Sequence, residues 1–94
     1  MTVARIFDGK GWTPEQYDEL LGHLLDDLGR GRKAAPGVLF HWSAATDDGM
    51  RAIDVYETRE AADTLAGLIG PLAGELGLAM PEITEFPVHD YLTP

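Results

Sequence analysis

Residues 50 to 57 read Met-Arg-Ala-Ile-Asp-Val-Tyr-Glu, and the fold turns on what they form. Ile53, Val55 and Tyr56 are strand formers, and turn residues precede them at Thr46-Asp-Asp-Gly49, so the stretch is a β-strand. Asp54 stands at its centre, where a strand of a small domain is most buried and an unpaired carboxylate is strongly unfavourable. Upstream, Gly37 to Ala45 (GVLFHWSAA) is apolar and aromatic enough for a second strand, and the turn joins the two as a hairpin. Downstream, Thr58 is placed to cap a helix, with Glu60 and Asp63 in its first turns, where the helix dipole favours anions. Ala62, Leu65, Ala66, Ile69 and Leu72 or Leu76 supply that helix with a buried stripe.

Working outward, Thr2 to Gly9 (TVARIFDG) alternates and forms a first strand. Thr13, Pro14 and Gln16 are placed as N-cap, first helical residue and capping-box partner. Tyr17, Leu20, Leu21, Leu24, Leu25 and Leu28 then recur at helical period, and Gly29 ends the helix. In the second helix Pro71, with Gly70, Gly74 and Gly77, predicts a stop or kink near Gly70 and a short resumed piece. Pro81 to Leu92 (PEITEFPVHDYL) reads as a last strand, with Pro87 at an edge or end.

The order is βαββαβ, the ferredoxin-like split βαβ arrangement of the α+β class, in one domain over residues 1–94. Right-handed crossovers put both helices on one face of a four-stranded antiparallel sheet in order 4-1-3-2.

Composition narrows the partners. The 94 residues carry a formal net charge of -9, which disfavours nucleic acid and anionic membranes. No stretch approaches the roughly 20 apolar residues that span a bilayer. Without a signal-like N-terminus, and with no Cys, a cytoplasmic protein lacking disulfides and thiolate metal sites is expected. The basic cluster GRGRKAAPG at 29 to 37 reads as a solvated loop, because no phosphate-binding motif accompanies it.

Two helices cover one sheet face only. If Ala4 and Ile6, Phe40 and Trp42, Ile53 and Val55, and Phe86 and Val88 face the helices, the bare face carries Arg5, Phe7, Leu39, His41, Ser43, Asp54, Tyr56, Glu85, His89 and Tyr91. That mixture of aromatic and ionisable groups suits the wall of a ligand cavity better than a solvated surface or a dry contact. Asp54 there is either a base or orienter of a His, or the salt-bridge partner of Arg5 on the neighbouring strand. His41 is a candidate acid or base, Tyr56 or Tyr91 a donor to a developing oxyanion, and His89 a weaker candidate near the strand end. His23 is expected to flank the first helix's stripe at the surface, Trp42 to pack in the core, and Trp12 to staple the helix entry. A metal would need His41, His89, Asp54 and Glu85 to align across strands; no local spacing supports this, and no metal is expected.

The hairpin FHWSAATDDG, the passage IDVYETREAADTLAGLIGPL and the final VHDYL resemble the dimeric α+β barrel proteins, in particular the small antibiotic-biosynthesis-monooxygenase-like ones. The resemblance implies a homodimer that buries Phe7, Leu39 and Tyr56 against a second subunit. It implies a small apolar, aromatic or polyketide-like ligand and chemistry without a cofactor. Haem-degrading relatives use an Asn, Trp and His set, and this chain has no Asn. The quinone-forming monooxygenase pattern of Asn, Trp and Tyr is partial at best. Cyclase- and isomerase-like relatives use His and Tyr, for which His41 and Tyr56 are compatible. The expected function is therefore a cofactor-independent monooxygenase or a cyclase or isomerase, with His41, Asp54 and Tyr56 catalytic and Arg5, Phe7, Leu39, Glu85, His89 and Tyr91 binding substrate. The alternative is a non-enzymatic ligand-binding or dimerisation domain.

Overall fold

The structure, a computed structural model, describes residues 1–27 and 37–90. The body of the basic loop, Leu28 and Gly29 at the expected helix end, and Tyr91 lie outside the described residues. The elements are β1 (Val3–Lys10), α1 (Pro14–Asp27), β2 (Val38–Thr46), β3 (Gly49–Tyr56), α2 (Arg59–Glu75) and β4 (Glu82–Pro87). They form the expected βαββαβ chain with one antiparallel sheet in the order β2-β3-β1-β4. Among the described residues no helix is long and apolar enough to cross a membrane.

Local chemistry sets the element ends. Thr13 Oγ1 accepts from the Gln16 N–H at 3.1 Å while Gln16 Oε1 accepts from the Thr13 N–H at 2.9 Å, a reciprocal capping box that starts α1. Thr58 Oγ1 accepts from the Ala61 N–H at 3.1 Å and starts α2. Trp12 does more than staple the helix entry. Its buried ring lies against the backbone of Gly9, where an added Cβ would sit 2.6 Å from the ring, and its indole N–H donates to the Ala79 carbonyl at 2.9 Å. The tryptophan thus ties the start of α1 to the segment that follows α2.

The second helix corrects one expectation, since it runs unbroken from Arg59 through Pro71 to Glu75. Pro71 cannot donate to the Gly67 carbonyl, but both residues lie on the exposed side, where water can satisfy that carbonyl. The following turn is held down by fully buried Ala73. The helix ends at Glu75 with Leu76 as its C-cap, and Gly77 follows with a φ of +70°, which suits glycine.

The larger correction concerns which sheet face the helices cover. Val3, Arg5 and Phe7 of β1 and Ala52, Asp54 and Tyr56 of β3 are the buried set, packed under α1 and α2. One cluster joins Phe7, Met50 and Ala52 to Trp12, Tyr17, Leu20 and Ala73; the other joins Val3 and Tyr56 to Leu24, Ala62 and Leu65. Phe7 and Tyr56 are therefore buried inside one copy of the chain, and are not left bare for a second subunit. The opposite face bears Ala4, Ile6, Phe40, Trp42, Ile53, Val55 and Phe86, with Trp42 41% and Phe86 49% exposed, so Trp42 is not a core residue. The alternation identified which side chains share a face but not which face lies under the helices, because both faces carry large apolar groups. The mixed face goes inward because its charged groups satisfy one another.

Candidate polar site beneath the helices

The ladder registers pair His41 with Asp54, Asp54 with Arg5, and Arg5 with Glu85. One ionisable residue from each strand thus falls in a single row across the sheet, in the order β2, β3, β1, β4. On β1 this row separates the two apolar clusters, Val3 belonging to one and Phe7 to the other. Successive same-face positions are two residues apart, so the alternation that makes the core also aligns the row.

The row divides into two networks. On the β1 and β4 side, Arg5 is 10% exposed at its side chain, donates through Nε to Glu85 Oε1 at 3.0 Å and through Nη2 to Asp63 Oδ1 at 2.5 Å. Arg59 at the start of α2 donates to the other Glu85 oxygen at 3.0 Å. Burial opposes the Arg5 charge, yet bonding to Asp63 and Glu85 outweighs it and leaves the guanidinium pKa raised. Two carboxylates thereby clamp β1 to α2 and β4.

On the β2 and β3 side, Asp54 is the hub. One of its oxygens meets His41 Nδ1 in a short contact, and the other accepts from the Tyr56 hydroxyl at 2.7 Å. His41 Nε2 lies 2.8 Å from the Tyr17 hydroxyl of α1, with the two rings nearly parallel at 4°. The result is a chain of four polar side chains, Tyr17, His41, Asp54 and Tyr56. Tyr56 is fully buried, and its phenol pKa is pushed well above the usual range, first by burial and then by the Asp54 charge, with Arg5 opposing. It remains a donor. Because a carboxylate Asp54 accepts at Nδ1, that nitrogen carries the proton, and Nε2 of a neutral ring is left to accept from Tyr17.

The expected site residues are distributed unevenly around this chain. His41, Asp54 and Tyr56 are joined; His41 reaches outward, its side chain 37% exposed, while that of Asp54 is 6% exposed. Arg5 does not pair with Asp54, as its expected salt bridge required, but with Asp63 and Glu85. Phe7 shares the buried cluster of Tyr17. Leu39 is half-buried in the register irregularity between Val38 and Phe40. His89 is exposed and lies beyond the end of β4 at Pro87, away from the row's register. His23 is exposed on α1. The residue that sequence reasoning missed is Tyr17, which counted only as part of an apolar stripe. Its hydroxyl was the available signal, since a buried Tyr needs a partner that Leu or Phe does not.

Among the described residues no three His, Asp or Glu side chains converge as a metal site would require. A crevice of about 240 Å³ elsewhere on the sheet is lined by Asp8, Lys10, Asp48, Arg51 and Glu82, with an Arg51 to Asp8 ion pair on its wall, and none of the row contributes to it.

No family model matches the sequence, and no curated protein matches it significantly. Solved structures do resemble it in fold. Rv0793 from Mycobacterium tuberculosis superposes with a TM-score of 0.68 at 18% identity, over 99% of this chain and 100% of that one. A variant of SnoaB, a cofactor-independent oxygenase from Streptomyces nogalater, gives 0.60 at 20% identity over 99% and 96%. A candidate antibiotic biosynthesis monooxygenase from Chloroflexus aurantiacus gives 0.61 at 19% over 97% of each chain.

Proposed function

We propose that this chain, which has the ferredoxin-like α+β fold shared with antibiotic-biosynthesis-monooxygenase-like proteins, is a cytoplasmic homodimeric enzyme that removes a proton from a small, largely apolar aromatic or polyketide-like compound. The observation that carries the proposal is His41, held by buried Asp54 through Nδ1 while its ring reaches the surface of the site. A carboxylate behind an imidazole fixes the ring's tautomer and stabilises the imidazolium formed when Nε2 receives a proton. The electron pair of the broken O–H or C–H bond stays on the substrate as an electron-rich anion. That anion is the common starting point for reaction with dioxygen without a cofactor and for cyclisation or isomerisation. The likeness to SnoaB favours the oxygenase branch as an analogy of fold.

Two roles change from the sequence-based expectation. Tyr56 spends its proton on Asp54, so it positions the dyad and does not bind an oxyanion. Arg5 is committed to two carboxylates and acts as a clamp.

The test is turnover of hydroxylated aromatic compounds under air, followed by oxygen uptake and product analysis. His41→Gln and Asp54→Asn are each expected to lower kcat about 10²- to 10⁴-fold, the usual worth of general-base catalysis, with the circular dichroism spectrum unchanged. Full activity in both variants would remove the mechanism. A second reading, a non-enzymatic domain whose apolar sheet face serves association, is favoured by exposed Phe40, Trp42 and Phe86; it expects no turnover by the unaltered protein.

A further inference from the structure

We infer that Tyr17 is a latch on His41: its hydroxyl caps the nitrogen that the acid-base reading above requires, and the base is released when a ligand's own acidic hydroxyl takes that place. The inference rests on that reading. Both ring nitrogens of His41 are occupied, Nδ1 by Asp54 and Nε2 by the Tyr17 O–H at 2.8 Å. An imidazole nitrogen has one lone pair, so Nε2 cannot accept from Tyr17 and from a ligand together. The two partners differ in access. The His41 side chain is 37% exposed, whereas Tyr17 is buried among Phe7, Trp12, Leu20 and Met50. A ligand therefore meets the imidazole from its open side, and at Nε2 it finds the tyrosine hydroxyl in place.

The contact is placed where it can be released. Tyr17 belongs to α1 and His41 to β2, the edge strand paired only with β3. Close backbone approaches of α1 are made to α2 more than to any strand, so a small shift of the helix layer over β2 opens the latch without breaking a strand ladder. Exchange keeps one hydrogen bond at Nε2, and the acidity of the donor then sets its direction. An ordinary tyrosine hydroxyl ionises at about pH 10. A more acidic aromatic hydroxyl gives its proton to Nε2, and the resulting anion and imidazolium hold each other by a charge-assisted bond, with Asp54 behind the ring. An aliphatic alcohol offers a weaker donor than the one it would have to replace. The latch therefore selects ligands with an acidic hydroxyl on an aromatic or enolic carbon.

The probes are diethyl pyrocarbonate, which acylates a free imidazole nitrogen, and para-nitrophenol. Near neutral pH, with sites read by peptide mass spectrometry, His41 of the unaltered protein is expected to react severalfold more slowly than exposed His23 and His89. That measurement needs no variant to fold. Tyr17→Phe is expected to speed the reaction of His41 severalfold with His23 unchanged, and to bind para-nitrophenol severalfold more tightly. A packing defect would also speed His41, but it would not tighten the binding of a phenol. The inference is overturned if His41 of the unaltered protein reacts as fast as His23, or if Tyr17→Phe leaves either the reaction of His41 or the phenol affinity unchanged. Turnover judges the acid-base reading separately. An open His41 in an enzyme that His41→Gln silences sinks the latch alone, and a latched His41 in a chain without turnover sinks the acid-base reading alone.

Discussion

Tyr56 donates its phenolic proton to Asp54, two residues earlier on the same face of β3, across 2.7 Å. Neither side chain has another route to water, Tyr56 being fully buried and Asp54 4% exposed. Each therefore makes the other's burial tolerable, and Asp54's remaining oxygen is left to His41.

That pair gives the protein an alkaline limit. The Tyr56 pKa is raised in the folded state above the unfolded value of about 10. Its contribution to stability is complete below about pH 10 and is lost as pH rises beyond it, because the unfolded chain ionises and the folded one does not. Each pH unit in that window should cost about 1.4 kcal/mol relative to a chain lacking the group. Tyr56→Phe is expected to be about 1–2 kcal/mol less stable at pH 7, from the donor lost to Asp54, and to show a flatter decline above pH 10. Urea midpoints measured from pH 7 to 11 on both proteins test this; parallel curves would refute it.

The Arg5 clamp should matter for stability more than for substrate affinity. Arg5→Met strands Glu85 with Arg59 alone and frees Asp63, whose side chain is already 64% exposed and readily hydrated. The exposed arm is worth little, so a loss of about 1–2 kcal/mol is expected, most of it from Glu85. Arg5→Lys should recover only part, since a single ammonium cannot reproduce the two-sided guanidinium geometry. Denaturation of the two variants and their KM values for any turned-over aromatic compound separate the roles. A large rise in KM with unchanged stability would return Arg5 to the ligand.

How far the sequence carried depends on the kind of order involved. Thr13, Gln16 and Thr58 act through bonds made within three residues, and those bonds form where their spacing placed them. The sharing of a face by Arg5, His41, Asp54, Tyr56 and Glu85 follows from strand alternation and is equally legible. Their side of the sheet is not. Alternation has no sign, and the outcome depends on whether charges can neutralise one another under the helices, which involves Asp63 and Tyr17 from two different helices. Partner choice was hidden for the same reason: Arg5 stands in register between Asp54 and Glu85, and it bonds to Glu85 and to Asp63 of α2, leaving Asp54 to His41 and Tyr56.

Gly9 is a position where one methyl group should be felt. An added Cβ would stand 2.6 Å from the Trp12 ring, which cannot retreat without breaking its indole bond to the Ala79 carbonyl. Gly9→Ala is expected to lose about 1–3 kcal/mol, the usual cost of overpacking, with reduced near-ultraviolet circular dichroism from Trp12. Gly22→Ala, at a helical site with open space around it, is the control and should be neutral or stabilising. Thermal melts of the two compared with the parent decide the matter.

The bare sheet face leads to the last prediction. Two adjacent rows, Phe40, Val55, Ala4, Phe86 and Trp42, Ile53, Ile6, Thr84, are apolar at every position but one. The next row carries Arg51, Asp8 and Glu82, so a dry centre has a charged rim on that side, the anatomy of a lasting contact. A second copy is the proposed occupant of this face, since a two-fold axis would set its apolar rows against their own equivalents. A chain of 94 residues also gains stability from the added burial. Trp42→Glu would place a carboxylate at the middle of that contact on both copies, unpaired and facing its like. Light scattering with size exclusion should therefore show the parent at twice the 10.2 kDa chain mass, and Trp42→Glu at the chain mass with its helical spectrum intact. Because Trp42 points away from Asp54 and His41, their short contact should survive in that variant. A parent that elutes as a monomer at micromolar concentration would show that something other than a second copy covers the face.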